Sequence, residues 1–482
     1  MKKYFLIILN LFILLVIAPG CNKDLQENPK TFISPDAFFQ NPDSYELAVK
    51  GAYSGVDGFF QPNSMSMREL FTDICGAPNA AVELALSTYL NGSQPFYYCV
   101  RDQWSIAYSI IKNANYILSK LPDAPLADDK KNSLMAEVRF LRAYAYFQIV
   151  QFFGDVPLRK EPVVDFTQVT FPRTSQADVY KFILDDLTFA ESNLSDVAPQ
   201  KGRVYKLAAT ALLARVYLTM AGNPLNMVQY YTNARDKALL VIKSGKFTLM
   251  DDYSKVFHNT TYTSESIWEQ TFEIGLGGNQ VHNISCTAVG YIPMLVPATW
   301  FINSFPAGDQ RKAWGVKDNY VGPNGIVLAP FFQKFVNNTL IDNGTGPSSA
   351  IVNYTYPYLR LAEMYLIAAE AENMLNGPTS AYQYINKIRT RARINKTDPT
   401  NVPDLIGLTK DQFTDAVLME RKWELHMEGS TWFDLKRTNT MSRIQTIRGA
   451  NLLNPITAAH NNTWFIPDTE VVNNNIPQNP GY

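Results

Sequence analysis

Residues 361–392 read LAEMYLIAAEAENMLNGPTSAYQYINKIRTRA, and the reading of this stretch decides the fold class. Leu361, Tyr365 and Ala368 recur at helical spacing, Gly377-Pro378 interrupts them, and Ala381, Ile385, Ile388 and Ala392 form an answering face. Apolar residues three and four apart fall on one stripe of a helix. A glycine followed by proline ends one helix and opens the next. The stretch therefore predicts two antiparallel helices whose small alanines allow close approach. Neither helix can bury its stripe alone, so the pair needs neighbours of its own kind.

Working outward, the same pattern returns. Trp104, Tyr108, Ile111, Asn115 and Leu118 line one helix ending before Pro122, and Phe140, Tyr144 and Phe147 line the next, which runs to Gly154. Val179, Ile183, Leu187 and Ala190 form the partner stripe of that second helix. A further pair carries Leu207, Ala211, Ala214 and Leu218, turns at Gly222 to Pro224, and returns with Tyr231, Ala234, Ala238 and Val241 before Gly245. Hairpins of this tetratricopeptide type stack into a curved scaffold. The expected fold is mainly α, built of helix hairpins, with one irregular insertion containing short strands. From Phe247 to Pro357 the helical rhythm disappears into Gly, Asn, Thr and Pro, and a structureless segment of that length is usually functional or disordered. Its aromatics, including Tyr262, Trp268, Phe272, Phe301, Phe331 and Phe332, argue against disorder. The expected divisions are helical regions at 36–246 and 357–482 flanking the insertion at 247–356.

The chain has 482 residues, 46% of them hydrophobic and 18% charged, which suits a large core and excludes an intrinsically disordered chain. Lys and Arg number 43 against 44 Asp and Glu, so the basic stripe that marks a nucleic-acid binder is not expected. At the N-terminus, Lys2 and Lys3 precede an apolar run from Tyr4 to Ile17, then Ala18-Pro19-Gly20-Cys21. This reads as a secretory signal over 1–20. The run is shorter than the ~20 residues a bilayer span needs. A cysteine after a small residue resembles a bacterial lipoprotein signal, so Cys21 is the expected acylated N-terminus, attached to the membrane and joined to the body by a polar tether over 21–35. Export permits disulfides. Cys75 and Cys99 are left open between a disulfide and two buried thiols, and Cys286 is spaced from both.

Catalytic signatures are missing from the sequence. His258, His282, His426 and His460 form no HExxH, no CxxC exists, and Gly346-Pro347-Ser348-Ser349-Ala350 falls short of GxSxG. In Gly275-Leu276-Gly277-Gly278, Gln280 occupies the place of the third glycine in GxGxxG. No catalytic residue, metal ligand or cofactor is assigned. Glu420, Glu424 and Glu428 recur every four residues on an expected helix, beside Arg421 and Lys422. Carboxylates held about 5 to 9.5 Å apart across a cleft can hydrolyse a glycosidic bond, but acids interleaved with bases on one helix read first as an ion-pair ladder.

Aromatics make up 13% of the chain, which leaves some for a ligand. Binding residues concentrate on loops held by a rigid scaffold. The loop from Asp73 to Arg101, which carries Tyr89 and Tyr97, and the insertion, which carries Tyr291, Trp300 and Trp314, are the candidates. A sugar ring offers an apolar C–H face and a rim of hydroxyls, matching aromatic platforms flanked by Asn, Gln, Asp or Arg. The candidate ligand residues are Asp73, Tyr89, Tyr97, Tyr291, Trp300 and Trp314.

Several segments in order resemble the SusD/RagB family. They are Phe140-Leu141-Arg142-Ala143-Tyr144 through Phe147 with Phe153-Gly154-Asp155-Val156-Pro157-Leu158, Leu359 to Glu363, Ile385 to Arg389, Glu420-Arg421-Lys422-Trp423-Glu424-Leu425, Trp432-Phe433-Asp434-Leu435-Lys436-Arg437, and the ending Gln478-Asn479-Pro480-Gly481-Tyr482. Ser430 and Thr431 depart from the Arg that many members carry before the Trp-Phe-Asp stretch. The resemblance implies a tetratricopeptide-like (SusD-like) body on the cell surface of the outer membrane, seated as a mobile lid over a SusC-like TonB-dependent barrel. It implies an oligosaccharide cargo, or a peptide in some members. The expected function is a non-catalytic glycan-binding lipoprotein, with a peptide-uptake receptor or a glycoside hydrolase as alternatives.

Overall fold

The apolar stripes of the sequence become long antiparallel helices in the computed structural model, which describes residues 35–76, 97–163, 170–272, 295–321, 327–337, 352–448 and 463–482, with Val281 and Gly325. Near the start, α1 (Pro42–Ala52) and α2 (Pro62–Glu69) lie against the first hairpin, formed by α3 (Tyr97–Lys120) and α4 (Asp128–Phe153). α5 (Gln176–Asn193) returns along α4, and α6 (Lys206–Ala221) pairs with α7 (Tyr230–Lys243). The quoted stretch forms α10 (Leu361–Asn376) and α11 (Pro378–Ala392), closed by α12 (Lys410–Leu425). α7 packs directly on α10, so the stack is continuous in space although the insertion separates the two in sequence. Ala362, Ala368, Ala369 and Ala371 on α10 are all fully buried, which is why alanine stands there.

Helix ends follow local chemistry. Ser175 caps α5 by accepting from Asp178 N at 3.2 Å, and Thr409 with Gln412 makes a capping box on α12. Gly377, with φ of +83°, joins α10 to α11 in a conformation that other residues rarely adopt. At the end of α6 the limit is space: a Cβ on Gly222 would stand 2.4 Å from the carbonyl oxygen of Arg437 on α13 (Thr431–Arg437).

The strands are short and antiparallel. β1 (Cys75–Gly76) pairs with β5 (Val296–Pro297), β2 (Val156–Pro157) with β3 (Arg173–Thr174), β4 (Ser266–Gln270) with β8 (Tyr356–Arg360), and β6 (Val316–Lys317) with β7 (Phe331–Phe332). β8 straddles the expected boundary at 356 and runs straight into α10. The insertion also holds short helices, α8 (Thr299–Ser304) and α9 (Gln310–Gly315), where the sequence predicted loops and strands. Six residues are too few to show a period. Asp309 caps α9, accepting from Arg311 N at 2.8 Å.

Most of the insertion aromatics belong to the core rather than to a surface. Trp268, Phe301, Phe331 and Phe332 are buried, and Trp268 lies edge-on to Phe140 and Tyr144 of α4, with centroids 5.0 and 5.2 Å away. One hydrophobic core thus draws on residues from 36–246, 247–356 and 357–482 alike.

Beside this core lies a cluster of buried charge. Arg311 bonds Asp309, Glu420 and Glu424; Arg360 bonds Glu265, Glu424 and Glu428; Arg389 bonds Glu420; Arg391 bonds Glu424 and faces Glu265; Lys334 bonds Glu428. Among the described residues the connected set holds five cations and five carboxylates, so it is neutral as a whole. The three glutamates are therefore engaged in ion pairs, but their partners come from other elements and not from Arg421 and Lys422. α12 also ends at Leu425, so Glu428 reaches the cluster from the turn beyond. Arg421 bonds Asp434 instead, as does Arg437, which supplies local pairing where Ser430 and Thr431 stand. Burial alone would raise the Glu424 carboxyl, but Arg391, Arg360 and Arg311 outweigh it and hold the group ionised far below the ordinary range.

Removing one member of a buried ion pair leaves its partners uncompensated. Glu424→Gln is expected to lower stability by about 3 to 5 kcal/mol, read as the shift of a chemical denaturation midpoint, and a change under about 1 kcal/mol would refute the hub role. A second expectation concerns pH. Burial raises the carboxyls of Glu69 and Glu269 from 4.5 to about 7, against hydrogen bonds that lower them. Between 4.5 and 7 the unfolded chain releases these protons and the folded chain keeps them, so both groups cost stability as pH rises through that window. The double variant Glu69→Gln/Glu269→Gln should flatten this fall in denaturation curves recorded from pH 5 to 7; an unchanged slope would contradict it.

Candidate functional site

Two of the expected ligand loops are tied together at their roots. β1 closes the described chain before residue 77 and β5 opens it after residue 294, with Cys75 opposite Pro297 and Gly76 opposite Val296. Ala298 N donates to Ile74 O at 2.7 Å, extending the ladder by one rung.

Asp73 stands just before β1 and is fully buried. Its carboxylate accepts from Lys422 Nζ on α12 and from Arg443 Nε at 3.2 Å on α14 (Ser442–Arg448). Its backbone oxygen accepts from Trp300 Nε1 on α8 at 2.7 Å. The Lys422 ammonium also lies 5.7 Å from the Trp300 ring centroid, within cation–π range. Burial lowers the lysine's pKa and the Asp73 charge opposes that effect. A further bond, Trp423 Nε1 to Ser304 Oγ at 3.0 Å, pins the other end of α8 to α12. The result is a platform in which a buried ion pair fixes the chain and a half-buried indole stands beside the loop root.

The sequence-derived candidates divide accordingly. Asp73 and Trp300 come together, but Asp73 is sealed within its ion pairs and supports the site rather than facing a ligand. Tyr97 lies at the start of α3, stacked on Phe465 at 5.7 Å, with its hydroxyl accepting from Asp468 N at 3.2 Å. Trp314, on α9, is 37% exposed and edge-on to His258 at 5.7 Å, while His258 stacks on Tyr354 at 4.9 Å. Among the described residues, neither Tyr97 nor Trp314 makes a ring or hydrogen-bond contact with Asp73 or Trp300. Tyr89, Tyr291 and Cys21 lie outside the described residues. Cys75 and Cys99 are both buried, and burial followed by the Asp102 charge pushes the Cys99 thiol up to about 12, which leaves it unreactive.

Lys422 and Arg443 were not among the candidates. Only the helical period hints at Lys422, because it lies two residues from both Glu420 and Glu424 and so faces away from them. Nothing in the sequence names Asp73 as its partner. Among the described residues no group of three or more His, Cys, Asp and Glu side chains could hold a metal ion, and no helix is long and apolar enough to cross a membrane. Lys422→Met should cost about 3 kcal/mol by leaving Asp73 undercompensated. It should also speed amide exchange at Ala298. Unchanged exchange there would show that the root pairing does not depend on this ion pair.

Comparison with known proteins places this architecture. Residues 206–482 match the SusD family, and residues 46–218 match a family described as starch-binding, associating with outer membrane. SusD-like protein P25 of Formosa agariphila is 28% identical over 485 aligned positions, covering 87% of each chain. A SusD superfamily protein from Parabacteroides distasonis superposes with a TM-score of 0.78 at 26% identity, covering 91% of this chain and 99% of the other. A laminarin binding SusD-like protein superposes with a TM-score of 0.75 at 23% identity, covering 91% and 99%.

Proposed function

Because the chain belongs to the SusD family, we propose that it is a non-catalytic, cell-surface glycan receptor of the outer membrane, anchored through Cys21, that delivers an oligosaccharide to a SusC-like TonB-dependent barrel. The observation that carries this reading is the β1–β5 pairing with Trp300 locked beside it. It brings the loop that contains Tyr89 and the insertion that contains Tyr291 to one root on a rigid helical frame. Tyr89, Tyr291 and Trp300 are the proposed ring platforms, with Tyr97 and Trp314 contributing at the flanks and Asp73 positioning Trp300. A laminarin binding SusD-like protein shares this fold, which supports a glycan as the cargo.

Aromatic contacts worth ~0.5 to 1.5 kcal/mol beyond burial give two or three platforms micromolar to millimolar capture once ordering costs are met. That suits a receptor which must release its cargo. The absence of catalysis is supported by the state of Glu420, Glu424 and Glu428, which are buried among guanidinium groups rather than facing each other across an open cleft. Closure over a barrel would require the loaded receptor to prefer barrel contact, since a ligand indifferent to both states shifts nothing.

Calorimetry against panels of glucans, other neutral glycans and peptides tests the reading. A glycan is expected to bind, and Trp300→Ala to weaken it about tenfold, the effect of losing ~1.4 kcal/mol. Heat from peptides alone would reassign the cargo, and reducing ends released at enzymatic rates would end the non-catalytic assignment. Mass spectrometry of membrane-extracted protein should show Cys21 acylated at the N-terminus; an unmodified residue would remove the anchor.

A further inference from the structure

A cleft of about 410 Å³ opens between α3, the chain after β2 and the C-terminal helix α15 (Asp468–Asn474), within the ~300–1,000 Å³ range of small-molecule sites. None of its lining residues belongs to the platform around Trp300. Its walls are Trp104, Tyr108 and Phe171, and its charged groups are Lys112, Arg159 and Glu470.

The walls are fixed. Trp104 lies against Tyr108 at 4.9 Å and edge-on to Phe153 at 5.1 Å, while the Tyr108 hydroxyl donates to Pro157 O at 2.7 Å. The backbone of Arg159 is clamped on both sides by one hydroxyl: its N donates to Tyr146 Oη at 2.7 Å, and Tyr146 Oη donates to its carbonyl at 2.9 Å. The guanidinium then lies 3.9 Å from the Phe171 ring centroid. No acceptor for it is present among the described residues, and its Nε is buried without one. A buried donor left in this way is costly, and in native structures it calls for an explanation. Lys112 is exposed on α3, also with no carboxylate paired to it among the described residues. The opposing Glu470 already accepts from the Asn474 amide.

The geometry points to a second sugar-binding site here, one that takes a saccharide unit bearing an anionic group, carboxylate or sulfate ester. The aromatic walls suit the C–H face of a ring, Arg159 and Lys112 meet the acid group, and Glu470 and Asn474 accept from or donate to hydroxyls. Two cations against one carboxylate leave an excess of positive charge for a single acid. A neutral sugar offers Arg159 only hydroxyl oxygens, whereas a carboxylate or sulfate accepts a charge-assisted bond about twice as strong, so discrimination should favour the charged ligand. The site stands independently of the loop platform, and of the cargo assigned to it.

The test is a titration of the full chain with three probes, methyl glucuronide, glucose 6-sulfate and methyl glucoside, followed by saturation-transfer NMR and calorimetry. At least one anionic probe is expected to bind about tenfold more tightly than the glucoside, and to lose about tenfold in Arg159→Gln and in Lys112→Gln. Lys112 is exposed, so its variant should keep the parent melting temperature and isolates binding from folding. Trp300→Ala should leave the anionic probe's affinity unchanged. Binding of the glucuronide alone or the sulfate alone names which acid the site takes. Equal affinity for the glucoside, no effect of Lys112→Gln, failure of both anionic probes, or loss in Trp300→Ala would each overturn the assignment.

Discussion

The structure depends on charge neutrality in its interior. Isolated ions are expensive to bury, and an ion pair repays its desolvation only when geometry and hydrogen bonding are nearly complete. Here Glu265, Asp309, Arg311 and Lys334 come from the insertion, Arg360, Arg389 and Arg391 from the quoted hairpin and its approach strand, and Glu420, Glu424 and Glu428 from α12 and the turn beyond. The hairpin and its strand bring three cations and α12 with its turn three carboxylates, whereas the insertion, neutral in sum, pairs Glu265, Arg311 and Lys334 with ions of the other two segments. Each must be docked for the others to be compensated, so the insertion is held in place by the charge balance as well as by its apolar contacts.

α12 transmits that constraint to the loop platform. A helix turns 100° per residue, so Lys422 points away from Glu420 and Glu424 while sharing their backbone. One side of the helix closes the buried cluster and the other holds Asp73 and the root of β1. Its C-terminal end is equally confined: a Cβ on Gly315 would stand 2.4 Å from His426 Nε2, so the end of α9 rests directly on the imidazole. Burial and the nearby Lys334 charge keep that imidazole neutral, as its packing among Phe301, Phe305 and Phe332 requires.

The legibility of the chain follows from which forces are local. The stripes of α3 to α7, α10 and α11 are periodic, and the turns at Gly154, Gly222 and Gly377 punctuate them, so the hairpins could be read directly. The partners of Glu420, Glu424 and Glu428 are separated from them by dozens of residues and more, and a helical period carries no information about them. α8 and α9 escaped because helices this short have no measurable rhythm. The aromatic surplus misled in part, since an aromatic placed among glycines and asparagines looks like a surface ring whether it lies at a loop tip or, as Phe331 and Phe332 do, on a buried strand. Trp300 and Asp73 could be chosen from residue type alone; that one anchors the other could not.

The same division explains how a fold can persist while its surface changes. This chain keeps TM-scores of 0.78 and 0.75 with two relatives at only 26% and 23% identity. Whatever holds the scaffold must therefore tolerate wide surface change, and interior charge balance with alanine-spaced hairpins does so, because both act on buried groups. Between roots as firmly fixed as β1 and β5, a connecting loop meets a closure cost that grows only slowly, by about 0.6 kcal/mol for each doubling of length. Loop length and residue type can then change with little effect on the frame. A protein built this way can change its exposed chemistry by altering the connecting segments alone, whereas a side chain set on α3 or α15, as Trp104 and Glu470 are, is bound to the scaffold and changes only with it.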